Sequence, residues 1–234
     1  MAVWDSRIFQ HWGEQLGVDA ALFLAPGVTV HADPEMTNKL IVFDGAGRQI
    51  VLLPSRFAER LTSDDLPAGD ALIAGLSARL GVSLELAWRD YYFYATAPCD
   101  LPCPVEQIRP LTAADAPLLA DLQAACEARE LELSKVNIDD PYIVGYFDGA
   151  ALAGAGSLLI GEHDLYDIGV LTHPDHRKRG IGAALTACLW REIDLRGGVA
   201  QYVTIAENYG SVGVARRCGL ALFMTEEGWS FPTP

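Results

Sequence analysis

The sequence predicts an α+β protein: a smaller N-terminal α/β domain followed by a domain with a mixed β-sheet flanked by helices. Three observations carry this. The eight residues Ala97 to Pro104, APCDLPCP, hold three prolines and break both helix and central strand, which places a boundary between residues 1–104 and 105–234. After that seam, hydrophobic periodicity gives the order strand, helix, three strands, helix, strand, helix and final strands. Within that series, a Gly-rich turn at Arg177 to Gly182 joins a strand directly to a helix.

In the N-terminal half, Trp4 to Leu16 has the spacing of an amphipathic helix. Lys39 to Phe43 and Gln49 to Leu53 are β-rich runs around Asp44-Gly45-Ala46-Gly47, a hairpin signal. Ala71 to Leu80 reads as a helix closed by Gly81, and Tyr91 to Ala95 as an aromatic strand. In the C-terminal half, Val105 to Leu111 is a strand. Thr112 caps a helix from Ala113 to about Arg129, with Asp115 in its first turn. Tyr142 to Phe147 and Ala151 to Ile160 form a hairpin about Asp148-Gly149, and Tyr166 to Leu171 is a further strand. Gly180 to Leu195 is a helix ended by Gly197-Gly198, Tyr202 to Ala206 a strand, and Ser211 to Arg217 a short helix. Leu222 to Thr225 and Trp229 to Phe231 read as a last hairpin.

The bulk properties exclude several classes. No apolar run reaches the ~18 residues of a membrane helix. The start, MAVWDSRIFQHW, lacks the basic flank and apolar core of a secretory signal, so a cytoplasmic protein with no membrane partner is expected. A net charge of −14, with both halves acidic, argues against a nucleic-acid partner. The five cysteines, an odd number at irregular spacing, read as buried or half-exposed thiols. Cys99 and Cys103 have no second Cys or His pair at ligand spacing, so no metal site is expected.

The informative stretch is DIGVLTHPDHRKRGIGAALTACLW, Asp167 to Trp190. A helix start carries unpaired N–H groups and the positive end of the helix dipole. Glycines there remove the side chains that would keep a ligand from the backbone, which leaves a cradle for phosphate. Of the ten basic residues after Val105, five stand in two places: Arg177, Lys178 and Arg179 in the turn, and Arg216 and Arg217 later. The stretch is neither a P-loop nor a dinucleotide fingerprint.

The pattern Arg177-x-x-Gly180-x-Gly182 after Thr172-His173-Pro174 resembles the pyrophosphate-binding motif of the GNAT superfamily of N-acetyltransferases. The likeness covers roughly Val105 to Phe231. Asn208 and the later Arg217-Cys218-Gly219-Leu220 are similar to that family's common ending. The resemblance implies acetyl-CoA as cosubstrate. It implies contacts from the backbone of Val170 and Leu171 to the pantetheine arm, pyrophosphate held at Arg177, Lys178, Arg179, Gly180, Ile181, Gly182 and Ala183, and Asn208 on the cofactor or a water. The strands Tyr166 to Leu171 and Tyr202 to Ala206 are expected to splay.

The implied reaction is direct attack of a primary amine, on a small molecule or a protein, on the thioester. A backbone N–H near Val170 would stabilise the oxyanion. Many members of the family carry a Tyr as general acid where this chain has Ala215, which leaves Tyr209 as a nearby substitute. Asp164, Asp167 and Glu207 are candidate bases, and alternation sets Asp167 and Tyr166 on opposite faces of their strand. The N-terminal domain is a candidate cover for the acceptor site. The missing Tyr also supports a second reading, a non-catalytic acyl-CoA-binding or sensing module.

Overall fold

The computed structural model describes residues 3–58, 60–61, 66–104 and 106–231. Val105, expected to open a strand and the second domain, lies outside the described residues. The strands are β1 (Gly27–Asp33), β2 (Lys39–Gly45), β3 (Arg48–Pro54), β4 (Glu85–Tyr94), β5 (Ile108–Pro110), β6 (Tyr142–Asp148), β7 (Ala151–Ile160), β8 (Leu165–Thr172), β9 (Val199–Ile205) and β10 (Ala221–Ser230). The α-helices are α1 (Ser6–Leu16), α2 (Ser55–Ala58), α3 (Leu72–Leu80), α4 (Ala116–Ala124), α5 (Ala128–Ser134), α6 (Ile181–Leu195) and α7 (Tyr209–Arg217). The mixed, open sheets flanked by helices make this an α+β fold. Contacts gather the chain into two compact units. One holds the residues up to Ile8 with Phe93–Ala221, and the other Phe9–Tyr92 with the residues from Leu222 on.

In the first unit the strand order is β9-β8-β7-β6-β5. Its ladders are antiparallel except β8 with β9, which run parallel. Helix α6 lies on one face, where Gly154 and Gly156 of β7 let it approach. A Cβ on either would come within 2.9 Å of Ile181 or Leu189. The other face carries α4 and α5 over a core of Leu111, Leu119, Leu122, Val136, Ile143, Leu152, Ala155 and Leu171. Even-numbered residues of β8 face α6, as Val170 and Thr172 beside Gly182 show. Odd-numbered ones face α4 and α5.

The expected helix from Ala113 to Arg129 is broken after Ala124. Glu127 starts α5 with its own capping box, its backbone N–H bonded to the Glu130 carboxylate at 3.0 Å. Two further readings need correction. Cys103 and Cys188 form a disulfide between the Pro-rich segment and α6, with Cα atoms 5.1 Å apart. A separation of 85 residues hid the pair from any argument on spacing. Cys99, Cys126 and Cys218 are free thiols.

The second unit has the strand order β1-β3-β2-β10-β4. β2 and β3 form the expected hairpin, with Ala46 and Gly47 both at positive φ (53° and 82°) in the two-residue turn. A core of Leu40, Val42, Val51, Leu53, Leu72, Leu76 and Leu80 lies between sheet and α3. The expected last hairpin is instead the single strand β10. Gly228 makes room there for the Trp88 ring rather than a turn, since a Cβ would overlap the ring. Glu226 and Glu227 are held by Tyr92 and Arg89, both at 2.7 Å. Among the described residues no helix is long and apolar enough to cross a membrane.

Gly169 of β8 faces the end of α5, where a Cβ would overlap the Ser134 carbonyl oxygen. Gly169→Ala should therefore lower stability by about 1–3 kcal/mol in urea unfolding. Gly213→Ala in α7, with open space around it, should raise it by about 0.5–1 kcal/mol through helix propensity. Equal effects at the two positions would contradict the close approach of α5 to β8.

Candidate active site

β8 pairs with β7 over nearly its whole length, Gly154↔Thr172 to Ile160↔Tyr166. With β9 it pairs only at Leu165↔Val199, Tyr166↔Ala200 and Asp167↔Gln201. Beyond that rung the strands part, so the edge from Ile168 to Leu171 has no strand across from it. A cleft of about 560 Å³ occupies the gap. The expected splay is present, and it begins just after Asp167.

The cleft runs from the parted strands to the start of α6. Gly180 sits before that helix with φ 84°, a left-handed conformation suited to glycine, and supplies no capping side chain. No acidic residue stands in the first turn. The residues from Gly180 to Ala183 line the cleft, and the helical bond Ala184 N–H to Gly180 O is 3.0 Å long. Free amides and the dipole of a 15-residue helix are thus aimed at one end of the cavity. Gly182 keeps this end open: a Cβ would lie 3.2 Å from Val214 of α7 and 3.8 Å from Val170.

The basic triplet divides. Arg177 lines the cleft but is forked onto Glu130 of α5, at 2.8 and 2.9 Å. Arg179 turns away, to Asp148 at 2.9 Å and His176 at 2.8 Å, and is not part of the lining. Lys178, at φ 61°, lines the cleft, and so does Arg217 at the end of α7. Sequence spacing placed Arg217 in a basic pair but gave it no direction.

The other expected residues are placed as follows. Val170, Leu171 and Asn208 line the cleft, and Asn208 Oδ1 accepts from the Ser211 N–H at 3.0 Å. Tyr209 stands at the cleft mouth, 83% exposed. Glu207 is exposed and outside the lining. Asp164 is a surface carboxylate 3.8 Å from Arg7. Ala215 is fully buried.

Asp167 sits just behind the cleft lining. Tyr166 packs toward Gly198, and Asp167 points to the opposite face, toward α5 and Lys135. Its Oδ1 is shielded from solvent with no hydrogen-bond partner. Burial pushes the carboxyl up to about 6, against the lowering influence of Lys135, of Val203 and Ile168 backbone donors, and of the Gln201 side chain.

The residue missed by sequence is Tyr202. It lies in β9 on the α6 and α7 face, lines the cleft and shares a 2.9 Å hydrogen bond with Ser211 of α7. Burial raises its phenol to about 12. Its alternation along β9 was the available signal, but the strand was read as starting at Tyr202 rather than Val199, and the helix partner Ser211 is not visible from spacing.

This arrangement defines a class: an α+β domain whose parted parallel strands run into an uncapped, Gly-rich helix start. Within that class, residues 106–220 match the acetyltransferase (GNAT) family model, and the chain carries a domain of that family. Solved structures agree at the level of fold. A GNAT-family acetyltransferase from Colwellia psychrerythraea matches with TM-score 0.55 and 15% identity, over 70% of this chain and 63% of that one. A GCN5-related N-acetyltransferase from Sphaerobacter thermophilus matches with TM-score 0.50 and 16% identity, over 72% and 59%. The chain thus spans about three fifths of each of those two proteins. A Salmonella typhimurium protein solved with its cofactor acetyl-CoA has TM-score 0.39 and 15% identity, over 54% of this chain and 94% of that one. None of the curated proteins matches.

The raised Asp167 carboxyl has a consequence for stability. Its native value, about 6, lies above the unfolded value of 3.8, so the native state holds the proton more tightly. Stability from this group is complete below the unfolded value and falls as pH rises toward 6. Asp167→Asn should therefore gain on the parent protein by about 1–3 kcal/mol between pH 4 and pH 7. Urea midpoints across that range measure it, and a difference independent of pH would contradict the buried setting.

Proposed function

We propose that the protein transfers the acetyl group of acetyl-CoA to a primary amine, on a small molecule or a protein, by direct attack in a ternary complex. The observation that carries this reading is the parting of β8 and β9 into a cleft that ends at the uncapped start of α6. The residues present fit the cofactor. The amides from Gly180 to Ala183, with Lys178 and Arg217, suit a pyrophosphate. The open edge of β8 at Val170 and Leu171 suits an amide-bearing arm that adds as a strand. When bound, acetyl-CoA supplies an activated acyl group.

The chain's own work is then to position and to move protons. Asp167, on the α5 face, is the base for the amine, and its carboxyl is ionised at neutral pH yet basic enough to take a proton. Tyr202, on the opposite face, stays protonated and donates toward negative charge on the cofactor side. One group that ionises near neutral pH beside one that stays protonated fits a base and acid pair. Tyr209 is a second donor at the mouth. Glu207 is too far out on the surface to serve the cleft as it stands. Tyr202 also weakens the case for a purely binding module, because the proton donor lacking at Ala215 is available from β9.

The test combines binding and turnover. Gly180→Asp puts a carboxylate in the cradle and should weaken acetyl-CoA binding at least about tenfold by calorimetry. Unchanged affinity in a folded variant would sink the site assignment. A panel of primary amines with acetyl-CoA should release free thiol, and Tyr202→Phe should cut kcat by roughly 10–100-fold with little change in the KM for acetyl-CoA. Binding without thiol release from any amine would favour the sensing module.

A further inference from the structure

We infer that Gln201 and Tyr94 are positioning residues: Tyr94 fixes the Gln201 amide, which in turn holds the Asp167 carboxylate where β8 and β9 part. This rests on the reading of Asp167 as the base.

The geometry begins with register. Asp167 and Gln201 are partners in the last rung of the parallel ladder, so both side chains leave the sheet on the same face. Phe93 and Tyr94, the last residues of β4, belong to the same compact unit, and Ala95 N–H bonds to Ala200 O at 2.9 Å. The phenol of Tyr94, itself fully buried, donates to Gln201 Oε1 at 2.6 Å. That bond fixes which way the amide lies. With its oxygen taken by a donor, Gln201 is left with its NH₂ to offer its register partner Asp167. A free Gln could present either end. A Gln held by Tyr94 presents only a donor, which favours the ionised acid.

The other influences on Asp167 are few. Lys135 acts from the end of α5 and the Val203 and Ile168 backbones from the edges of the gap, while the Tyr202 phenol is itself raised by the Asp167 charge. Across β7 the register partner is the apolar Leu159. Ser157, on the same face of β7, has a buried hydroxyl without a partner in the sheet. Among the described residues, Gln201 is the one uncharged side chain that lowers the Asp167 carboxyl. Lys135 contributes charge from an exposed position and does not fix an orientation. Gln201 with Tyr94 behind it is therefore the element that orients the acid.

Carbon-detected NMR titration of the Asp167 carboxyl in the full-length protein tests this without any assumption about turnover. Gln201→Leu should raise the Asp167 value by about 0.5–1 pH unit, and Tyr94→Phe should raise it by a smaller amount. Tyr94→Phe removes one oxygen and keeps the ring, so it is the safer variant for folding. An unmoved Asp167 value in both variants would overturn this positioning role, whatever the protein acetylates. In thiol-release assays with the fastest amine of the panel, the acidic limb of kcat/KM should move with the carboxyl while the KM for acetyl-CoA stays constant. A limb that stays fixed while the carboxyl shifts would remove Asp167 from the reaction and leave the Tyr94–Gln201 hydrogen bond standing as structure alone.

Discussion

The parting of β8 from β9 is the constraint on which the site depends. Parallel strands joined by a helix normally stay paired, because every unpaired N–H and C=O in a sheet interior has a cost. Here the pairing stops after three residues. The strands are kept apart by what flanks them. On one face α7 stands against Gly182 and Val170 through Val214, and on the other the end of α5 is pressed onto Gly169. β8 cannot drift into the gap, because its other edge is fastened to β7 along seven residue pairs. The open edge is thus held between packed neighbours, with backbone groups left for a ligand that brings its own hydrogen-bonding groups.

Charge in the first unit follows the same economy. A run of three cations suggests a purely electrostatic anion trap. The structure uses two of them to brace the turn. Arg177 ties it to α5 through Glu130, and Arg179 ties it to the β6–β7 turn through Asp148. Exposed pairs of this kind contribute little to stability individually. Their effect is to brace the loop at the cleft, which leaves Lys178 as the cation of the triplet that lines it without bracing the turn; Arg177 both lines the cleft and holds Glu130. Glu130 lines the cleft as well, so this pair joins α5 to the turn at the cleft wall.

Much of the fold was legible because it rests on local chemistry. The hairpins at Ala46-Gly47 and Gly149 and the start of α6 at Gly180 each need a positive φ, and each is marked by glycine. The end of the cleft at the α6 start was legible for the same reason: one short segment, from β8 to α6, supplies much of its lining. The illegible features depend on distant partners. Gly228 looks like a turn until Trp88 is placed over it, and Cys188 looks like a lone thiol until Cys103 arrives from 85 residues away. Tyr202 and Gln201 are adjacent in sequence and serve opposite faces, so their roles appear only once Ser211 and Tyr94 are beside them.

That adjacency shapes the chemistry. In the proposed reaction the two proton-handling groups stand on opposite faces of the sheet. Alternation sends Asp167 and Gln201 to the α5 face, and Tyr202 to the face of α6 and α7. Burial moves the acid and the phenol in the same direction, because it disfavours the charged form of each. The outcomes differ: the carboxyl comes close to neutral pH, where it can exchange a proton, while the phenol moves beyond reach and stays a donor. A donor that does not ionise and an acceptor that does suit a reaction in which a proton leaves one side of the sheet and negative charge builds on the other. The sheet does not isolate them: the Asp167 charge also helps to raise the Tyr202 phenol, so the ionised acid favours the protonated donor.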